Sequence, residues 1–357
     1  MKFIHILKTL QNKQKPQTFA KDSIYIVSNG YADLMRGKNT MEVLDEIITP
    51  LDIEDNNYKS VLIICGGGIG DIIALSSICY YLKDKIIYFA TQSAYFCVLE
   101  LFLKKAIPVD INGAILKDYT LTNRLGKYTQ WRRVKCEFAV VNNNHLDWYD
   151  VLFSIIGVRQ IETDYLGPKI NQERLNGNPS NILGKSLLIC NKASCMMRSI
   201  HFMDIYRNLT NEIKNTWQIY AYENNLSEED KMNIPKEVKI IKTQTLTDFF
   251  NDLYDATDVI TIDSVSLHYR EGIGKSAIGL FNSFDKDSRT KFYKYTKSFN
   301  IKSECDLQPC FKHELNPGDL CLKVKSWQFS APCFQPKKNK YLNGQLREIF
   351  KHLLTTD

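Results

Sequence analysis

Residues 61–82 read VLIICGGGIGDIIALSSICYYL, and this stretch decides the fold class. A run of β-branched and aliphatic residues, VLIIC, gives way to glycines at 66, 67, 68 and 70. Then comes IIALSSICYYL, whose apolar positions recur at helical spacing. The order is strand, glycine-rich turn, helix. Moving outward, KIIYFAT at 85–91 reads as a strand, AYFCVLELFLKK at 94–105 as a helix and EFAVVNN at 137–143 as another strand. Such alternation builds a parallel sheet covered by helices, so the first half is α/β.

The alternation resumes in the second half. SLLIC (186–190), WQIYAY (217–222), VKIIKT (238–243), DVITID (258–263) and AIGLFN (277–282) have strand character. Helical patterns fall at 202–213, at 246–256 and from Ser266 onward. Between 166 and 185 the periodicity is lost and Gly, Pro and Asn collect, the composition of a connection between domains. The expected division is an α/β domain over 1–168, a linker over 169–185 and a second α/β domain over 186–335. A C-terminal helical segment over 336–357 follows.

A chain of 357 residues suits two ordinary domains. Its 44% hydrophobic and 24% charged residues exclude wholesale disorder, collagen-like repeats and a small disulfide scaffold. The net charge of +6 is compatible with an anionic partner without demanding one. Ten cysteines without a secretory signal read as reduced thiols, and a cytoplasmic location is the expectation. The longest apolar run, 61–82, is broken by four glycines and Asp71, so no transmembrane segment is expected. The N-terminal 21 residues, with five lysines and no acid, read as a basic arm or a first strand.

Two segments carry chemistry. In the first, the turn Gly66-Gly67-Gly68-Ile69-Gly70-Asp71 lets the backbone approach a ligand and opens a helix whose N–H groups favour an anion. No Gly-Lys-Ser/Thr follows, which excludes a P-loop, and isoleucine at the third glycine position departs from the dinucleotide fingerprint. From the turn alone, Asp71 reads either as a helix cap or as a functional carboxylate. The second segment is DVITIDSVSLHYREGIGKSAIGLF at 258–281. Asp263 and Ser264 stand where a strand hands over to a helix, and His268 follows about one helical turn later. His268 reads equally as a structural histidine and as a ligand-facing one.

These residues resemble the family 9 glycosyltransferases, whose best-known members are the ADP-heptose:lipopolysaccharide heptosyltransferases. IICGGGIGDIIALSSICYYLK is similar to the family's first strand-turn-helix. LLICNKASCMMRSIHFMDIYRNL resembles the opening of its donor domain, and the stretch TLTDFFNDLYDATDVITIDSVSLHYREGIGKSAIGLFNSFD resembles the region centred on Asp-Ser-Gly-x-x-His. Together they span about residues 60–285. Val265 replaces the glycine usual after Asp-Ser, Tyr269-Arg270-Glu271 replaces a small apolar run, and Ser276 stands where proline is common.

The resemblance implies a GT-B architecture, two doubly wound domains facing a central cleft, with acceptor on the first domain and nucleotide-sugar on the second. The C-terminal helix is expected to cross back to the first domain. The implied reaction is inverting transfer of a heptose or related sugar from a nucleotide-diphosphate donor to a lipopolysaccharide or other surface-glycan hydroxyl. Such transfer needs a base for the acceptor proton and cations or N–H donors for the leaving diphosphate. By position Asp71 is the base. Gly68, Gly70, Lys192, Ser194, Arg198, Asp263, Ser264 and His268 are the donor-binding set. No metal or other cofactor is required by this design, because a helix N-terminus and cations can neutralise the diphosphate.

Trp131-Arg132-Arg133, within a basic stretch from Lys127 to Lys135, reads either as a solvated loop or helix face or as an acceptor-binding patch for a polyanion. Cys305, Cys310, His313 and Cys321 could hold zinc, but their spacing is not a recognised paired array, and free thiols are the simpler reading. With a surface-glycan acceptor, the expected place is the inner face of the cytoplasmic membrane, with peripheral contact. A phage-type enzyme acting on a modified base in DNA is a second reading. A nucleotide-sugar-binding module that has lost turnover is a third.

Overall fold

The computed structural model describes residues 2–6, 10–11, 18–19, 24–27, 36–37, 39, 41–44, 60–65, 68–82, 84–110, 119–121, 129–133, 167–171, 180–193, 196–243, 245–306, 308 and 332–354. The chain divides into two compact units. The first comprises Met1–Lys135 with Leu152–Ile161, and the second Cys136–Val151 with Glu162–Asp357. No helix among the described residues is long and apolar enough to cross a membrane.

In the first unit the decisive stretch forms as its pattern predicts. Strand β6 (Ser60–Ile64) leads into helix α1 (Ile69–Tyr81), and strands β7 (Ile86–Thr91) and β8 (Ile107–Asp110) follow. They lie parallel with strand β10 (Thr129–Arg133) in the order β10-β6-β7-β8. Helix α1 is fixed by its apolar side: Ile72, Ile73, Leu75 and Ile78 are wholly buried. The helix expected over 94–105 is regular only as α2 (Phe96–Leu99), with Leu101 and Phe102 buried after it.

The basic patch falls on β10, with Trp131, Arg132 and Arg133 paired in register to Leu62, Ile63 and Ile64. That replaces the expected loop or helix face by a strand. The strand expected at 137–143 lies outside the described residues. The N-terminal region holds an antiparallel sheet ordered β5-β1-β4-β9, made of β1 (Lys2–Ile6), β4 (Ile24–Val27), β5 (Met41–Leu44) and β9 (Tyr119–Leu121). The short strands β2 (Leu10–Gln11) and β3 (Thr18–Phe19) pair with each other.

The second unit is a six-stranded parallel sheet. Its strands are β11 (Ser186–Cys190), β12 (Gln218–Tyr222), β13 (Lys239–Ile241), β14 (Asp258–Ile262), β15 (Ala277–Phe281) and β16 (Thr296–Asn300). They lie in the order β13-β12-β11-β14-β15-β16, the dinucleotide-fold order with its reversal between β11 and β14. The helices are α3 (Phe202–Asn208), α4 (Asn211–Thr216), α5 (Glu228–Asn233), α6 (Leu246–Asp255), α7 (Val265–Gly272), α8 (Asp287–Thr290) and α9 (Leu342–Phe350). The single helix expected over 202–213 is split because Thr210 caps α4, its side chain accepting from the Ile213 N–H.

Alternate residues of the central strands fill one core. Leu187, Ile189, Ile260, Ile262, Ile278 and Leu280 pack with Phe202 and Ile205 of α3 and with Leu342, Leu346 and Phe350 of α9. The C-terminal helix packs on α3 as a layer of the second unit. Its apolar face at i, i+4 and i+8 requires such a partner. The stretch expected as the linker is fastened to this unit wherever it is described. Ile170 is buried and donates its N–H to the Gly272 carbonyl, and Ser180 and the Asn181 N–H both reach Asp252 Oδ1.

Two of the charged residues that depart from the family pattern are structural. Arg270 is wholly buried and donates to the carbonyls of Leu253, Ala256, Thr257 and Ser276, closing the C-terminal end of α6. Glu271, also buried, accepts from the N–H groups of Lys294, Tyr295 and Thr296 and from the Thr296 hydroxyl. Buried charges are tolerable when their hydrogen-bonding capacity is used in this way.

Candidate functional site

The reversal of strand order in the second unit separates the connections leaving β11 and β14, and in such sheets ligands bind at the carboxyl ends of the strands there. The loop after β11 is tied shut. Asn191, buried, donates its amide to the carbonyls of Ile200 and Asn225, while the Ile200 N–H bonds the Asn191 carbonyl. The Ala193 N–H donates to Ser199 Oγ. Within this loop Lys192 is exposed and its Nζ reaches the Asn224 carbonyl at 3.0 Å. Ser194 lies outside the described residues.

Arg198 crosses from this loop to the end of β14. One guanidinium nitrogen donates to the Asp263 carbonyl at 3.0 Å and to Asp263 Oδ2 at 3.2 Å. Burial works to raise the Asp263 pKa, but the charges of Arg198 and Arg289, with His268, outweigh it and hold the carboxyl below its ordinary value. Ser264, the N-cap of α7, makes no capping bond with its side chain, which instead meets the Thr261 hydroxyl at 2.9 Å. The first turn of α7 is left with backbone N–H groups directed out of the helix.

His268 is placed in the interior. Its Nδ1 lies 2.5 Å from the Tyr293 hydroxyl and its Nε2 3.9 Å from Asp263 Oδ1. Burial lowers its pKa to about 4 against the pull of Asp263, with Arg289 and Arg198 adding to the depression, so the ring is neutral at physiological pH. His268 is thus a buried, neutral ring set between Tyr293 and the Asp263 carboxylate. Arg289 of α8 belongs to the same group. It is buried, its guanidinium carbon 4.0 Å from the centre of the Phe284 ring, and its charge bears on both Asp263 and His268. Neither Arg289 nor Tyr293 stands out in the sequence. The only signal is that both follow β15, the next strand along from Asp263.

In the first unit, Asp71 is the third residue of α1. Its Oδ2 accepts the Gly68 N–H at 2.7 Å, which makes it a helix cap. Gly68 is exposed and extended, and a Cβ at this position would meet nothing nearer than Asp71 Oδ2, 3.8 Å away. Among the described residues, neither the backbone angle nor packing demands glycine there. Gly70 lies half-buried in the first turn of α1, while Gly66 and Gly67 lie outside the described residues.

Among the described residues no group of three or more His, Cys, Asp and Glu side chains could hold a metal ion. Cys305 and Cys333 carry free thiols, and Cys333 Sγ accepts from Asn282 at 3.3 Å. Cys310, His313 and Cys321 lie outside the described residues.

No family profile matches the chain, and no curated protein matches its sequence. Solved structures do. The dodecameric iron-containing heptosyltransferase TibC, in complex with ADP-D-β-D-heptose, is similar over 98% of this chain and 92% of its own, at 13% identity and a TM-score of 0.57. That protein comes from enterotoxigenic Escherichia coli. A family 9 glycosyltransferase from Veillonella parvula matches 84% of this chain and 98% of its own, at 13% identity and a TM-score of 0.56. The ADP-heptose LPS heptosyltransferase II of E. coli matches 83% and 99%, at 10% identity and a TM-score of 0.50. At such identities the likeness is one of fold, the GT-B type built from two doubly wound α/β domains.

Proposed function

We propose that this protein is an inverting glycosyltransferase that moves a heptose or related sugar from a nucleotide-diphosphate donor to a hydroxyl of a surface glycan. The observation that carries the proposal is the end of β14. An α-helix begins there without a side-chain cap, and Arg198 is held against the same turn by Asp263. A helix N-terminus beside a fixed guanidinium favours a diphosphate, and most of all the extra charge that develops when it leaves. Lys192, on the neighbouring loop, adds a second cation, and Ser194 follows two residues on in the sequence. The fold is shared with structures of sugar transferases, one of them bound to ADP-heptose.

In this reading the acceptor oxygen attacks the anomeric carbon from the face opposite the donor oxygen. The bond to the β-phosphate oxygen breaks, the nucleoside diphosphate leaves with the electron pair, and the configuration inverts. Asp71 takes the acceptor proton. A carboxylate has capacity for several hydrogen bonds, so accepting the Gly68 N–H is compatible with taking a proton. The capping bond also fixes the carboxylate in one orientation, which a base requires. The exposed backbone at Gly68 serves close approach of the substrates, and Gly70 stands beside it in the first turn of α1. Trp131, Arg132 and Arg133 stand on β10 in the unit assigned to a polyanionic acceptor. Metal is not needed for this route.

The test is calorimetric titration of the purified protein with ADP, UDP, GDP and CDP, followed by transfer assays with the corresponding sugars. Micromolar binding of one diphosphate, weakened by Arg198→Ala, supports the reading. Absence of binding for all four overturns it.

A further inference from the structure

On the face of the second unit that carries α3 and α5, a cavity of about 270 Å³ is lined by Asp204, Arg207, His201, Glu229, Asp230 and Lys337, among others. Its charges are not equivalent. Asp230 is fully engaged: it accepts from the Met203 N–H and from the N–H and hydroxyl of Ser227, and it lies 3.6 Å from His201. Asp204 is only 8% exposed, and among the described residues nothing donates to its carboxylate. Its backbone groups are used, the N–H by the His201 carbonyl and the carbonyl by the Asn208 amide. Its carboxylate faces the cavity without a protein donor, so a ligand that donates there meets an acceptor already in place.

Arg207 and Lys337 line the same cavity, and neither side chain has a hydrogen bond or ion pair among the described residues. A carboxylate and two cations thus share one cavity without closing on each other. A simple cation would satisfy Asp204 and meet the repulsion of Arg207 and Lys337. A simple anion would do the reverse. We propose that this cavity is a binding site for a small zwitterion, whose primary ammonium donates to Asp204 and whose anionic group, carboxylate or phosphate, accepts from Arg207 and Lys337. The surroundings agree. Burial, reinforced by Asp230 and Glu229 and opposed by His201 and Arg207, pushes the Asp204 carboxyl up to about 6, a group that gains from a cationic partner. The site is separate from the loop and helix assigned to the donor, and it does not rest on the glycosyl-transfer reading.

The full chain is titrated by calorimetry with L-alanine and with O-phosphoethanolamine, and with methylamine and acetate as singly charged probes. One zwitterion binds, and its identity distinguishes a carboxylate from a phosphate as the anionic group. Methylamine and acetate bind at least about tenfold more weakly, and Asp204→Asn and Lys337→Gln each weaken the zwitterion by about tenfold or more. Thermal melting checks the folding of Asp204→Asn. Should that variant be unstable, Arg207→Gln and Lys337→Gln, both at exposed positions, decide the matter. No binding of either zwitterion, equal binding of a singly charged probe, or affinity unchanged in the rim variants overturns the proposal.

Discussion

Arg198 grips Asp263 twice, through the backbone carbonyl and through the carboxylate, across 65 residues of sequence. The pair ties the loop after β11 to the start of α7, so the two halves of the proposed phosphate site move as one. Replacing Arg198 with Ala is expected to weaken nucleoside diphosphate binding by about 1.5–3 kcal/mol, the worth of a charge-assisted hydrogen bond. Arg198→Lys, which keeps the charge and loses the fork, is expected to fall between. Calorimetry on the three proteins reads the order, and equal affinities remove Arg198 from the site.

Asp71 combines a cap with the proposed base. Asp71→Asn keeps an oxygen for the Gly68 N–H and cannot accept a proton, so turnover should fall roughly 10²–10⁴-fold with little change in melting temperature. Asp71→Ala loses both roles and should in addition cost about 0.5–2 kcal/mol of stability. Comparable turnover in the Asn variant would leave Asp71 as a cap alone.

His268 gives the fold a pH dependence of known sign. Its folded pKa, about 4, lies below the ordinary histidine value of 6.5, so the unfolded chain binds a proton over an interval where the folded one does not. The stability it confers is fully present above about pH 6.5 and is lost as the pH falls toward 4, on the order of 3 kcal/mol in all. Urea unfolding of the wild type and His268→Gln at pH 7 and pH 4.5 reads this as a smaller pH effect in the variant. Identical pH slopes in the two proteins contradict it.

Arg270 bonds four backbone carbonyls in a site shielded from solvent. Arg270→Met fills similar volume but leaves those acceptors unsatisfied, and should destabilise the protein by at least about 3 kcal/mol. Denaturant unfolding monitored by circular dichroism measures it. A loss below about 1 kcal/mol would mean that the carbonyls find other donors.

Gly279, in the middle of β15, allows α7 to lie close on the sheet: a Cβ there would sit 2.8 Å from Leu267 Cδ2. Gly279→Ala should cost about 1–3 kcal/mol through overpacking, and Leu267→Ala in the same chain should recover part of that loss. Simple additivity of the two variants would show that the contact is not the cause.

The sequence makes the α/β alternation legible because VLIIC, SLLIC, DVITI and AIGLF are short, mainly apolar runs, as strands buried on both faces tend to be. β16 escaped notice for the converse reason: TKSFN at the sheet's edge is largely half-buried and carries little apolar signal. The N-terminal antiparallel sheet is built from short strands far apart in sequence, whose pairing no local pattern reveals. At the site, a handover from strand to helix marked Asp263 and Ser264, and the neighbouring loop marked Arg198. The burial of His268 and the use of Arg270 and Glu271 on backbone groups depend on which carbonyls and N–H groups the tertiary fold brings near. Arg289 reaches Asp263 by the same tertiary route.

The amide of Asn208, on the first helix after β11, donates to Asn343 on the last helix, 135 residues later. During synthesis, the ribosome must therefore deliver the chain through α9 before α3 and the central strands can bury their shared face. At about 5–20 residues per second, β11, β14 and β15 spend seconds as nascent strands with an apolar side uncovered. A chaperone that shields such surfaces has its natural interval of engagement there, and a premature stop before residue 342 releases a second unit that lacks one wall of its core.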